Sequence, residues 1–147
     1  MRFLPCTTLC ALMFITGCGA TGNVNQTATA IQVVQQADRS KIELVSISIL
    51  NDSFLDRENP SPFTGEVVQI SGEVVAFALT VDDQYTVTIR ENNSDAICIF
   101  DASLSNQLGD GRPVRNGVIL TLQGQCYSSG LFSAIPFTLD GCRIVTE

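Results

Sequence analysis

Histidine and tryptophan are both missing from this 147-residue chain, and basic side chains are scarce, with eight Lys and Arg against fifteen Asp and Glu. Without His there can be no Ser-His-Asp triad, no Cys-His dyad and no His-ligated metal site. A formal net charge of -7 sets the chain as a whole against phosphate backbones, so general nucleic-acid binding is disfavoured. The length suits one compact domain and not two.

What is present begins with an address. Met1–Cys18 carries one basic residue, Arg2, and then an uncharged, mostly apolar run that ends in small residues. That is the layout of an export signal. The apolar part, Phe3–Ile15, is shorter than the roughly 20 residues that span a bilayer as a helix. The residues Ile15-Thr16-Gly17-Cys18 resemble the bacterial lipobox: an aliphatic residue, a small one, Gly or Ala, and an obligatory Cys. The resemblance implies signal cleavage between Gly17 and Cys18, diacylglycerol on the Cys18 thiol and acylation of the new amino terminus. A single acyl chain holds a protein marginally, at about 0.8 kcal/mol per buried methylene, whereas two or three hold it durably. Gly19 stands where lipoproteins retained in the inner membrane have Asp, so the resemblance implies the outer membrane, facing the periplasm or the cell surface. Gly17 to Gly22 also satisfies G-x-G-x-x-G, but no strand precedes it and the implied cleavage cuts it.

Export changes the cysteine arithmetic. Cys6 and Cys10 leave with the leader, Cys18 carries lipid, and Cys98, Cys126 and Cys142 remain. In an oxidising compartment three thiols predict one disulfide and one leftover.

The mature chain divides in two. Residues 18–40, rich in Thr, Gln, Ala, Asn and Gly, read as the lipidated Cys followed by a flexible tether, with no more than a transient helix near Ala30–Ala37. Residues 41–147 read as one domain. Ser48 stands as an N-cap before a short helix, Ile49–Glu58, which Asn59-Pro60-Ser61-Pro62 ends. Strands follow at Glu66–Val81, bent at Gly72, at Gln84–Arg90, at Ala96–Phe100, at Val118–Cys126 and near Pro136–Val145. The predicted fold is mainly β: a small five-stranded oligonucleotide/oligosaccharide-binding (OB)-like barrel preceded by a short helix.

From Ser46 to Val145 the chain resembles the tRNA anticodon-binding-like OB-fold family of exported bacterial proteins, many of them lipoproteins. The likeness rests on Phe63–Val74 as first strand, on Ile97-Cys98-Ile99-Phe100, on Leu122–Cys126 and on Leu139–Ile144. Gln107–Gly117 is longer than the turn the family has there. On that barrel the expected disulfide is Cys126 to Cys142 in hairpin-paired strands, with Cys98 as the free or alternative thiol, since Cys98 to Cys142 is the rival pair and three reduced core thiols the remaining possibility.

No catalytic residue emerges. Glu66 and Glu73 are an odd offset apart on one strand, which sends them to opposite faces, and Asp82, Asp83, Asp95, Asp101 and Asp110 belong to turns or loops. Glu91–Asp95 lacks the ligand alternation and closing Glu of an EF-hand, so no metal and no cofactor are expected. The face an OB barrel offers to a ligand shows Thr86, Thr88 and Arg90, and Arg112, Arg115 and Arg143 are too few for a nucleic-acid groove in an acidic chain. The expectation is a membrane-attached, non-catalytic envelope lipoprotein whose barrel is a protein-interaction or structural module. The alternative is a binder of a small ligand, oligosaccharide or oligonucleotide. A ligand binder would show a groove with clustered aromatic or Arg side chains, and an interaction module an exposed apolar patch.

Overall fold

The computed structural model describes residues 22–56, 58–80, 83–101, 103–104, 114–130 and 133–145, with side chains from residue 26 onward. Gly17 and Cys18, the expected cleavage and lipidation positions, lie outside the described residues. Five strands, β1 (Val67–Leu79), β2 (Tyr85–Glu91), β3 (Ser94–Phe100), β4 (Ile119–Ser128) and β5 (Phe137–Ile144), close a barrel in the order β1-β2-β3-β5-β4. All neighbours are antiparallel except β3 and β5, which run parallel through Ile97–Thr138 and Cys98–Leu139. The mainly β, five-stranded barrel with a helix before it is therefore borne out.

β1 is long because it serves two neighbours. Its first half, Val67–Glu73, pairs with β4, and its second, Glu73–Leu79, with β2. The change of partner falls at Glu73, next to Gly72, with a bulge between Val74 and Ala76. Such irregularities let one strand turn a barrel corner. Alternation does the rest: Val68, Ile70, Val74, Val87, Ile89, Ala96, Cys98, Phe100, Leu122, Cys126 and Leu139 fill the interior, each at most 3% exposed. Asn92, at φ 54, turns the tight β2–β3 hairpin in a conformation Asn tolerates well.

Two helices precede the barrel, α1 (Gly22–Gln36) and α2 (Ile47–Leu55). α2 closes the barrel end that carries the β2–β3 hairpin, burying Ile47 and Leu50 and stacking Phe54 on Phe137 at 5.6 Å. It begins two residues earlier than the Ser48 cap predicts, and ends before Asp56 rather than at Glu58. The reason is a distant carboxylate: Glu91 at the end of β2 accepts from the Ile47 amide at 2.7 Å and from Ser46 Oγ at 2.8 Å. A negative group at a helix N-terminus satisfies free amides and complements the dipole.

α1 is a correction to the sequence reading. Residues 22–36 form a helix packed on the outer face of β4 and β5, where a flexible tether is expected. Thr27, Ala30 and Val34, at helical spacing, are buried. The contact depends on Gly141, at φ 63, because a Cβ there would run into the Ala30–Ile31 peptide. Between the helices, the Val45 amide donates to Gln69 O and the Gln69 amide to Glu43 O, which occupies the edge of β1 that β2 leaves open.

Candidate functional site

The outer face of β2 and β3 is the ligand side predicted from the sequence, and the structure does bring Thr86, Thr88 and Arg90 onto it. Thr88 lies between Ala76 and Ile97, and Thr86 between Ala78 and Ile99. Arg90 lies between Glu73 and Asp95. Its Nε reaches Asp95 Oδ1 at 2.6 Å and its Nη2 reaches Oδ2 at 2.8 Å, a bidentate pair. Arg90 hydrogen-bonded to it holds the Asp95 carboxyl below its usual range, and Asp95, with Glu73 behind it, raises the guanidinium in return. The cation of this face is thus already matched by its own neighbours. Small and β-branched side chains make up the rest of it.

The aromatic side chains of the same strands are elsewhere. Phe77 is opposite Val87, and Tyr85 opposite Leu79 and Phe100, so these residues belong to the inward-facing set, as expected for Tyr85. Towards the open end of β1 and β2 that set emerges from the barrel. Phe77 stacks on Tyr85 at 5.5 Å while remaining 42% exposed, and Leu79 is 58% exposed. The result is an apolar patch beside the β1–β2 turn.

Arg115 is exposed, Arg112 lies outside the described residues, and Arg143 is drawn into a polar ladder across β5, β4 and β1. Arg143 Nε donates to Gln123 Oε1 at 2.7 Å, and Gln123 Nε2 to Gln69 Oε1 at 2.7 Å. Burial, with Arg39 nearby, lowers the Arg143 pKa. Neither this ladder nor the carboxylate beside it was legible in the sequence. Asp140, 2% exposed beneath α1, accepts from Gln26 Nε2 at 2.5 Å through Oδ2, and burial raises its pKa despite that bond. A shallow cleft of about 280 Å³ lies between the end of α2 and the β4–β5 connection, lined by Phe54, Asp56, Ser128 and Pro136 among others. It is at the small end for a ligand pocket. Among the described residues no three His, Cys, Asp or Glu side chains are grouped to hold a metal ion, and no helix is long and apolar enough to cross a membrane.

The cysteines depart from expectation. Cys98, Cys126 and Cys142 are all buried and free, so the structure does not contain the Cys126–Cys142 bond. Register gives the reason: Cys126 is opposite Leu139, and a bulge, in which Gly141 and Cys142 together face Gly124, separates that level from Cys142.

No protein-family model matches the chain, and no curated protein matches it. Solved structures do. A chain assigned as an aspartyl-tRNA synthetase from Leishmania major Friedlin aligns with a TM-score of 0.50 at 12% identity, over 78% of this chain and 23% of that one. An asparaginyl-tRNA synthetase from Entamoeba histolytica aligns with a TM-score of 0.44 at 11% identity, over 56% of this chain and 21% of that one. This chain spans less than a quarter of the length of either. At 12% identity the likeness to the first is one of fold, which agrees with the OB-like barrel and says nothing of activity.

Proposed function

We propose that this chain is a lipid-anchored envelope protein, held by Cys18 in the outer membrane, whose barrel serves as a non-catalytic protein-interaction module. The observation that carries the module reading is the division of the two surfaces described above. The ligand side has its arginine engaged by Asp95, whereas Phe77 and Leu79 are exposed at the end of β1. That is the pattern of an interaction surface rather than of a groove built for an anionic or stacking ligand. The anchor reading is supported by the lipobox-like Ile15–Cys18. With α1 starting at Gly22, the link from Cys18 to the helix reaches about 14 Å at full extension, so a docked α1 would hold the barrel against the membrane instead of on a long leash.

Both parts are open to direct test. Cys18→Ala should abolish metabolic acyl labelling and release the protein from the membrane fraction; unchanged labelling and fractionation would refute the anchor. In-cell crosslinking of the lipidated protein should yield discrete protein adducts that Leu79→Glu, an exposed and fold-neutral change, reduces several-fold. Adducts indifferent to that substitution would remove the patch from the proposal.

A further inference from the structure

We infer that the open edge of β1 pairs with the same edge of a second copy of this chain, joining two barrels through a continuous antiparallel sheet. This rests on the reading of Phe77 and Leu79 as an interaction surface, and it names what covers that surface. β1 pairs with β4 only as far as Glu73. The Gly117 amide then donates to the Val74 carbonyl and the Val74 amide to that of Val118, and past this point nothing among the described residues pairs with β1 on the β4 side. Ala76, Phe77, Ala78 and Leu79 are all exposed.

The bonds between β1 and β2 decide which backbone groups this edge offers. The Thr80 amide donates to the Gln84 carbonyl at 2.8 Å. In an antiparallel pair such bonds recur at every second residue, so Ala78, opposite Thr86, and Ala76, opposite Thr88, also direct their amides and carbonyls at β2. The amides and carbonyls of Phe77 and Leu79 therefore point outward, along the edge that β4 has left.

Two donors and two acceptors at this spacing are self-complementary. When two such edges meet about a two-fold axis at Ala78, Phe77 of each copy faces Leu79 of the other, and every one of these groups closes a hydrogen bond. The same docking sets Phe77 and Leu79 of both copies on one face beside Tyr85, which covers apolar surface that is 42% and 58% exposed in the single chain. No charged residue and no proline falls between Glu73 and Asp82, although these are the devices that keep exposed edges from pairing.

Charge favours a second copy as the occupant. In this register exposed Asp83, at the tip of the β1–β2 turn, comes level with Glu73 of the other copy, which has Arg90 opposite it on β2, and beside the Arg115–Val118 turn that stands against Val74. Arg115 is exposed there. An acidic tip at one end of the edge and a basic turn at the other suit antiparallel self-pairing, because each end then meets its opposite twice. A seam this short is at the weak end of protein interfaces, so it forms where copies are concentrated, as by a shared membrane anchor.

The test uses the full chain with Cys6, Cys10 and Cys18 changed to Ser, in a non-ionic detergent, with one cysteine introduced at Ala78 or at Ala76. Both positions are exposed, and the barrel cysteines are buried. Under mild oxidation Ala78→Cys should give a disulfide-linked dimer, because the two copies of this position face each other at a non-hydrogen-bonded level, where a Cα separation of about 4.5 Å is within disulfide reach. Ala76→Cys should link at least about ten-fold more slowly, since position 76 then faces Thr80 of the other copy. Without either introduced cysteine, raising the protein concentration should slow amide exchange at Phe77 and Leu79 by about ten-fold and leave Ala76 and Ala78, already bonded to β2, unchanged. Equal linking at both positions, or Phe77 and Leu79 amides that exchange freely at every concentration, would overturn the pairing. So would a monomeric Ala78→Cys chain whose in-cell adducts are all with other proteins and still depend on Leu79, an outcome that leaves the interaction surface standing. Adducts indifferent to Leu79→Glu would remove the surface itself.

Discussion

The two helices in front of the barrel attach to it by different physics. α2 is short and brings three apolar side chains, Ile47, Leu50 and Phe54, to the barrel end, with Glu91 fixing its start. α1 is longer, has no charged residue in its first or last turn, and buries only small or β-branched groups, Thr27, Ala30 and Val34, over a glycine and a carboxylate. One helix is held by volume inserted into the core, the other by the removal of volume from the strand beneath it. The first kind of attachment is written in the helix itself. The second is written in its partner, more than a hundred residues away.

The sharpest way to break the α2 side is Leu50→Ala. Leu50 is fully buried among core residues, and deleting a buried leucine side chain typically costs 2–5 kcal/mol, about the same as a good part of a small domain's stability. Chemical denaturation should show a cooperative transition displaced by an amount in that range, with the whole barrel affected. A shift under about 1 kcal/mol would mean that α2 is an accessory rather than part of the core.

Gly141→Ala should separate the helices. The substitution places a Cβ against the Ala30–Ile31 peptide and forces alanine into a left-handed conformation, which by itself costs about 1–2 kcal/mol. Because the clash is with α1, the expected response is local: amide protons of residues 26–36 should exchange at least ten-fold faster, while those of β2 and β3 keep their protection. Uniform loss of protection would show that α1 and the barrel are one cooperative unit.

This contrast also explains what could be read from residues alone. The alternation of Tyr85, Val87 and Ile89 points to a strand because the signal is local, and it is observed; the irregularity expected at Gly72 falls instead between Val74 and Ala76, while Gly72 keeps its register with Leu120. Arg90 was legible as an outward residue, but its capture by Asp95 depends on cross-strand register across the hairpin. A docked α1 is not legible from the residues because Thr27, Ala30 and Val34 make only a narrow, weakly apolar stripe among Gln, Asn and Thr, and its complementary surface is a glycine on β5. The cysteine pairing failed at the same place. A bulge at Gly141 and Cys142 shifts the register by one residue, and alternation counted along the strand cannot show where such a shift falls.

The finest test of the α1 attachment is electrostatic. Asp140 is buried under the helix, and desolvation raises its pKa in the folded state even though Gln26 donates to it. A carboxyl with a raised folded pKa binds protons more readily folded than unfolded. Stability therefore increases as pH falls from above the folded value towards the unfolded one, and the cost of the charged form is present in full only above the folded value. Asp140→Asn keeps an oxygen for Gln26 and removes the charge, so it should flatten this part of the pH profile and stabilise modestly at pH 7, by up to about 1 kcal/mol, with the gain vanishing in acid. Denaturant midpoints of both proteins measured from pH 4 to pH 7 read the difference. A variant that is less stable than the parent at pH 7 would show that the Gln26–Asp140 bond is worth more than the burial of its charge, and that α1 is held by polar chemistry as much as by the glycine gap.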